Sequence, residues 1–346
     1  MKLMRLRIWL GALLAAAIVY VFGVFLINAS LTPQAEGFKP ASLPGLPDAV
    51  PATITLTSWN LGYAGLGADS NFIADGGSAF LPPSRAAVEH NLSGILETLG
   101  TVDADVMLFQ EVSNRSPLSY WADVRNRLEA SMAERQIFYR PDAATRFIPF
   151  PLALDHGTLS TARFNPAAVE IVPLPSEPGA MLGFLKRRYA LHVMRFPIEE
   201  RTGELVIANL HLSAFDDNGN TRREQIDAVM AFAEAEYRAG NHVILAGDWN
   251  MVLSDPAVPH TTDDKYLFWI YPFPKDKLPS GWTIATDTVT PSVRTLHKPY
   301  VAGENFVTSI DGFIVSPNVA MQSVSTLDQG FEFSDHQPVR AQFSLK

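Results

Sequence analysis

Val243-Ile244-Leu245-Ala246-Gly247-Asp248-Trp249-Asn250 is an apolar run that ends in polar groups. Apolar residues in succession, with no polar alternation, predict a strand buried on both faces. Gly247 lets the backbone turn or be closely approached. Asp248 and Asn250 then project from the strand's end, where layered α/β folds present chemistry on a rigid scaffold. A carboxylate can hold a cation or take a proton from water, and a carboxamide can both donate to and accept from a phosphate.

Working outward, Thr221-Arg222-Arg223-Glu224 has the form of a capping box. It predicts a helix with Ile226, Val229, Met230 and Ala233 on one face and Gly240 as its stop. A second helix is expected over 84–99, starting at Ser84, with Val88, Leu92, Ile95, Leu96 and Leu99 on one face. A third is expected over 119–135. Strands are expected over 53–57, 105–110, 136–140, 157–162, 188–196, 204–210, 242–247, 312–316 and 337–344. Strands outnumber helices, and the helices fall between groups of strands. The expected fold is α/β: a four-layer sandwich of two packed mixed β-sheets flanked by helices, formed by residues 53–346 as one domain.

The segment before that domain differs in character. Lys2, Arg5 and Arg7 lie in a basic N-terminus, residues 1–7, and an uncharged apolar run follows from Ile8 to Ile27. At helical rise that run matches the hydrocarbon thickness of a bilayer, and no small-x-small cleavage pattern stands near Asn28-Ala29-Ser30. The expectation is a single-pass, uncleaved transmembrane anchor over 8–27. The basic flank puts residues 1–7 in the cytoplasm and the domain over 53–346 on the periplasmic or extracellular side. Residues 28–52 contain Pro33, Pro40, Pro44, Pro47 and Pro51 and read as an extended, semi-rigid linker. The formal net charge of the chain is −9. Residues 53–346 carry 23 basic and 34 acidic residues, which offers phosphate backbones no broad footprint. The absence of cysteine excludes disulfides and thiolate metal sites, so any metal must sit on oxygen and nitrogen ligands.

The pattern of the opening stretch, an apolar strand bounded by polar groups, recurs along the chain. It is seen at Ser58-Trp59-Asn60, Phe109-Gln110-Glu111, Asn209-Leu210-His211, Ser309-Ile310-Asp311 and Ser334-Asp335-His336. Any one of these is ordinary turn or surface chemistry; the combination of amides, acids and imidazoles at strand boundaries is not. In this order, Trp59-Asn60, Gln110-Glu111, Asn209-Leu210-His211-Leu212, Gly247-Asp248-Trp249-Asn250, Ile310-Asp311-Gly312 and Ser334-Asp335-His336 resemble the endonuclease/exonuclease/phosphatase superfamily. This is the deoxyribonuclease-I-like fold, which also hosts inositol-polyphosphate phosphatases and sphingomyelinases. The resemblance spans about Thr53 to Leu345 and implies Mg²⁺-dependent phosphoester hydrolysis, with Mn²⁺ as an alternative ion.

The resemblance also implies roles. Glu111 would be the main metal ligand, with Asn60 and Asp335 supporting the metal site; hard oxygen ligands suit Mg²⁺. Asp248 would orient or deprotonate the attacking water. Asn250 would hydrogen-bond a phosphate oxygen. His336 would face the phosphate as base or cationic stabiliser, with Asp311 fixing its tautomer. His211 matches a position that acts as acid or phosphate ligand. Three arginines are candidate substrate contacts: Arg115, four residues after Glu111; Arg163, near a stretch resembling the family's Leu-Ser-Arg but with two residues intervening; and Arg294, shortly before Asp311. The loop Gly62–Gly77 is expected to shape the substrate mouth. The run Tyr266 to Phe273 is expected to be a packed segment.

The substrate is expected to be a phosphoester: a lipid, a small molecule or a nucleic acid. The acidic body and the anchor favour the first two. A nuclease is the alternative within the same chemistry, and a non-catalytic, membrane-anchored binding module is the alternative outside it. The sequence implies contact with a membrane through the N-terminal helix and no protein partner.

Overall fold

A computed structural model describes residues 2–30, 36–147, 153–176, 187–214, 216 and 219–346. Two mixed sheets pack face to face. One has six strands in the order β14 (Val319–Thr326), β15 (Val339–Leu345), β2 (Thr53–Asn60), β3 (Val106–Ser113), β5 (Ala153–Ala162) and β4 (Gln136–Arg146). The other has seven, in the order β1 (Gly37–Phe38), β6 (Ala168–Pro173), β7 (Ala190–Pro197), β8 (Glu204–His211), β9 (His242–Asp248), β13 (Asp311–Val315) and β10 (Thr283–Ala285). A short ribbon of β11 (Val293–Arg294) and β12 (Val307–Thr308) stands beside them. Each sheet contains a parallel pair, β2 with β3 and β8 with β9. The C-terminal ends of these two pairs carry Asn60 and Glu111 in one sheet and His211 and Asp248 in the other.

The layers follow from burial on both faces of the central strands. Ile54, Leu56, Leu108, Ile207, Ile244, Phe313 and Phe343 fill the space between the sheets. Helices α2 (Arg85–Thr101) and α3 (Val124–Ser131) cover the outer face of the six-stranded sheet through Val88, Leu92, Ile95 and Leu128. Helix α4 (Asn220–Arg238) covers the other sheet through Ile226, Val229, Met230 and Ala233. The result is the four-layer α/β sandwich with two mixed sheets. Ser84 caps α2 by accepting from Ala87 N, 3.0 Å.

Local departures have local causes. Helix 119–135 shortens to Val124–Ser131, because Pro117–Ser119 closes a separate 3₁₀ turn and Asp123 restarts the helix as its cap. The capping box at Thr221 does not form. The helix begins at Asn220 after Gly219, and Arg222 turns inward to a buried carboxylate instead. The edge strand β14, with its exposed middle residues, gives no apolar run for a sequence reading to catch. The proline-rich stretch is not a free spacer along its described part. Gly37–Phe38 pairs with β6, Asn165 holds Leu43, Leu46 and Asp48, and Val50 N donates to Pro197 O.

Helix α1 (Lys2–Ser30) contains the apolar run and is long and apolar enough to cross a membrane. Near its end Asn28 Nδ2 donates to Arg146 O, 3.1 Å, and about two turns earlier the Tyr20 hydroxyl donates to Phe147 O, 2.7 Å.

Candidate active site

Asp248 is the hub. It ends β9, its Oδ1 accepts from Asn250 N at 2.9 Å, and its Oδ2 faces three groups. These are Asn60 Nδ2 at 3.0 Å, His211 Nε2 at 3.5 Å and His336 Nε2 at 3.7 Å. The local backbone makes this convergence possible. Gly247 has φ +146°, and a Cβ there would stand 1.9 Å from Leu210 O, so only glycine lets β8 and β9 close up beside the hub. Asn250 sits at φ +49°, a left-handed conformation that asparagine tolerates, and its Nδ2 donates to Leu212 O, 2.9 Å. Glu111 also has a positive φ, +53°, inside the irregularity where β3 slips register between Phe109 and Val112. A bulge of this kind re-aims a side chain, here into the cleft.

His336 is held from behind. Its Nδ1 lies 2.8 Å from Asp311 Oδ2, and Ser292 hydroxyl donates to that same oxygen at 2.6 Å. The register of β9 against β13 places Asp311 opposite Asp248. Burial alone would lower the imidazole's affinity for a proton, but Asp311 and Asp248 outweigh it and hold His336 well above the ordinary histidine value. His211 shifts the other way, well below that value, through burial and then the Arg187 guanidinium. The two imidazoles are therefore biased in opposite senses, His336 towards its cationic form and His211 towards its neutral one. Burial, partly offset by His336, pushes the Asp248 carboxyl up; burial, partly offset by His336 and reinforced by Glu111, lifts Asp335 to about 6.

A cleft of about 230 Å³ is lined by Asn60, Glu111, His211, Asp248, Asn250, Asp335 and His336 among others. Asp311 lies just behind, fully buried. Arg294 is buried beside it and borders a smaller adjoining pocket. The other two candidate arginines are placed elsewhere, which corrects the expectation that they contact substrate. Arg115 is exposed and pairs with Asp123 at 3.1 Å. Arg163 follows the far end of β5 and pairs with Asp103 at 2.5 Å on the surface. Asn209 sits below the cleft, between the sheets, where it bonds Gln110, Phe109 O and Ser160.

Four cleft or supporting residues escape a reading by strand ends. Arg187, just before β7, donates to Glu111 Oε1 and to Tyr63 hydroxyl, each at 3.1 Å, and lies 3.2 Å from His211 Nε2. Tyr63 hydroxyl also donates to Glu111 Oε1, 2.7 Å. Asp75, on the loop after Asn60, borders the cleft, and burial followed by the charges of Asp335 and Glu111 pushes its carboxyl up to about 8. Arg222 is fully buried; it pairs with Asp216 at 2.6 Å and donates to Asn250 O at 2.7 Å. The Lys186-Arg187-Arg188 cluster ahead of a strand was a usable signal for the first. The loop Gly62–Gly77 does line the mouth, through Tyr63, Leu66, Phe72 and Asp75.

The donor set suits a hard divalent cation. Glu111, Asp335 and the Asn60 amide offer oxygens in one cleft, and the acids' mutual repulsion is what a cation would relieve. Asp248, Asp311 and His336 also bring ligand atoms within 4.8 Å of one another. In that trio, however, His336 Nδ1 and Asp311 already engage each other.

Two mixed sheets with acids, amides and imidazoles gathered at their strand ends define a phosphoric ester hydrolase scaffold. The profile of the Endonuclease/Exonuclease/phosphatase family matches residues 57–336, and the chain belongs to that family. No curated protein matches it. Among solved structures it is similar to an endonuclease/exonuclease/phosphatase from Beutenbergia cavernae DSM 12333 (17% identity, 85% of this chain and 72% of that one, TM-score 0.52). It is also similar to an endonuclease/exonuclease/phosphatase from Bacteroides vulgatus (12%, 85% and 99%, TM-score 0.51). A third is the human Nocturnin catalytic domain with bound sulfate (18%, 90% and 98%, TM-score 0.50). At these identities the likeness is one of fold.

Proposed function

We propose that the chain is a membrane-anchored phosphoesterase that needs Mg²⁺, or Mn²⁺ in its place, and hydrolyses its substrate by in-line attack of water. The observation that carries this reading is the approach of Asn60, His211 and His336 to one oxygen of Asp248, in the same cleft as Glu111 and Asp335. Glu111, Asp335 and Asn60 would hold the cation, which when bound supplies positive charge opposite the phosphoryl oxygens. Asp248 orients the water and takes its proton. His336, kept cationic by Asp311, faces the charge that builds on the phosphate. Neutral His211, with Arg187 beside it, and the Asn250 amide grip the remaining oxygens.

The preferred substrate is a lipid or small phosphoester. The body is acidic, and helix α1 holds the protein at a bilayer, with residues 1–7 cytoplasmic and the cleft on the opposite side. Nucleic acid is the second reading, supported by the family's nucleases. The test is turnover by the full-length chain in detergent of bis-p-nitrophenyl phosphate, p-nitrophenyl phosphate, sphingomyelin and plasmid DNA, with Mg²⁺ and with EDTA. Hydrolysis of at least one that chelation abolishes is expected; inactivity on all of them with Mg²⁺ would instead indicate a binding module. In cells the chain is expected to stay with the membrane pellet after an alkaline carbonate wash. Release into the supernatant would rule out a spanning helix.

A further inference from the structure

A small pocket opens off the cleft beside His336 and Asp335, bordered by Asp75, Trp269, Val293, Arg294, Leu296 and Ile310. It shares Asp75, Ala214, Asn250, Asp335 and His336 with the cleft wall, so the two are continuous. We propose that this pocket is a subsite for a hydroxyl group on the organic part of the phosphoester, which makes polyol phosphoesters preferred over esters that lack the hydroxyl. The inference rests on the phosphoesterase reading above and narrows its substrate class.

Size sets the first limit. The pocket holds about 40 Å³. At roughly 10–15 Å³ for each water-sized group, it takes about three or four non-hydrogen atoms. A hydroxymethyl group fits, whereas a nucleobase or an acyl chain does not.

Polarity sets the second. Trp269 Nε1 and Arg294 Nε are buried donors with no hydrogen-bond partner among the described residues. The Arg294 side chain is fixed by other bonds, and Trp269 is buried with its backbone tied. Arg294 donates through Nη2 to Gly67 O at 2.7 Å and Leu66 O at 3.2 Å, and through Nη1 to Thr295 O at 3.2 Å. Trp269 O accepts from Arg222 at 2.8 Å, which holds that backbone in place. An unpaired buried donor is costly. The occupant must therefore accept hydrogen bonds. Asp75 and Asp335 also line the pocket, and their carboxyl oxygens can accept from the occupant. A hydroxyl both accepts and donates. An alkyl group does neither, an ammonium cannot accept, and a second phosphate would face two acids.

The experiment compares two symmetric diesters of equal charge, diglyceryl phosphate and dipropyl phosphate. Each competes with bis-p-nitrophenyl or p-nitrophenyl phosphate, whichever the full-length chain hydrolyses with Mg²⁺. A site built around a hydroxyl rejects an analogue without one, so the diglyceryl ester is expected to inhibit at least about tenfold more tightly. Trp269→Phe, which keeps the ring and removes the N–H, and Asp75→Asn are each expected to bring the two inhibition constants together. Equal competition in the wild type, with chromogenic turnover intact, would overturn the subsite and leave the phosphoesterase standing; the pocket then holds only water. A wild-type preference that survives both substitutions would overturn it as well. Inactivity with Mg²⁺ on all four substrates of the test above removes the phosphoesterase reading and the subsite with it; hydrolysis of sphingomyelin or DNA alone moves the competition to that substrate. Melting temperatures of both variants, matched to wild type, separate lost recognition from lost fold.

Discussion

Asp248→Asn is expected to lower kcat by about 10³–10⁴ while the melting temperature holds or rises, because in the proposed mechanism one atom would carry several catalytic tasks and little of the fold. Oδ2 is the oxygen that Asn60, His211 and His336 face. An asparagine keeps the shape and can keep the Asn250 N bond to the Oδ1 position. It cannot take a proton from water, and its amide places N–H against donors. On the stability side the buried carboxyl is pushed up by burial, so its ionised form is a cost to the fold that the amide does not carry. His336 keeps its contact to Asp311. The measurement is turnover beside a thermal melt. A variant whose melt drops by some ten degrees, roughly 3 kcal/mol or more in a chain of this size, would make Asp248 a structural residue.

How far the site was legible in the sequence depended on where each group's position is fixed. Asn60, Glu111, His211, Asp248, Asp311, Asp335 and His336 lie at strand boundaries, where a short local pattern marks both the strand and its polar end. The pairing of β2 with β3, β8 with β9 and β9 with β13 then brings most of those ends together. Arginines gave no such signal, because the reach of a guanidinium is decided by the tertiary path. Arg115 is four residues from Glu111 yet points to solvent, while Arg187 is 76 residues away and touches it. Arg222 shows the same limit within a motif: the capping-box pattern marked the helix start, but a buried acid supplied by the preceding loop captured the side chain. The fold class was legible for the opposite reason. The central strands are buried on both faces and read as unbroken apolar runs, whereas the exposed edge strand β14 and the two-residue strands of the ribbon did not.

Arg222→Met is expected to destabilise the fold by about 3–5 kcal/mol, since it leaves Asp216 buried without its counter-charge. The pair is fully enclosed: the guanidinium lies 2.6 Å from Asp216 Oδ1 and 4.4 Å over the Tyr271 ring. Arg222 also donates to Asn250 O and Trp269 O, so it links the hub loop to the aromatic segment bordering the side pocket. These two functions separate in the double variant Arg222→Met, Asp216→Leu. Removing both charges together lifts the penalty of an unpaired buried ion, so most of the stability is expected to return. Activity is not expected to return with it, because the carbonyls of Asn250 and Trp269 still lack their donor and the left-handed turn at Asn250 loses its brace. Denaturant midpoints and kcat for the wild type, the single and the double variant distinguish the contributions. Recovery of both stability and turnover in the double variant would mean that Arg222 serves only to neutralise Asp216; an unchanged midpoint in the single variant would mean that the buried pair does not anchor the loop at all.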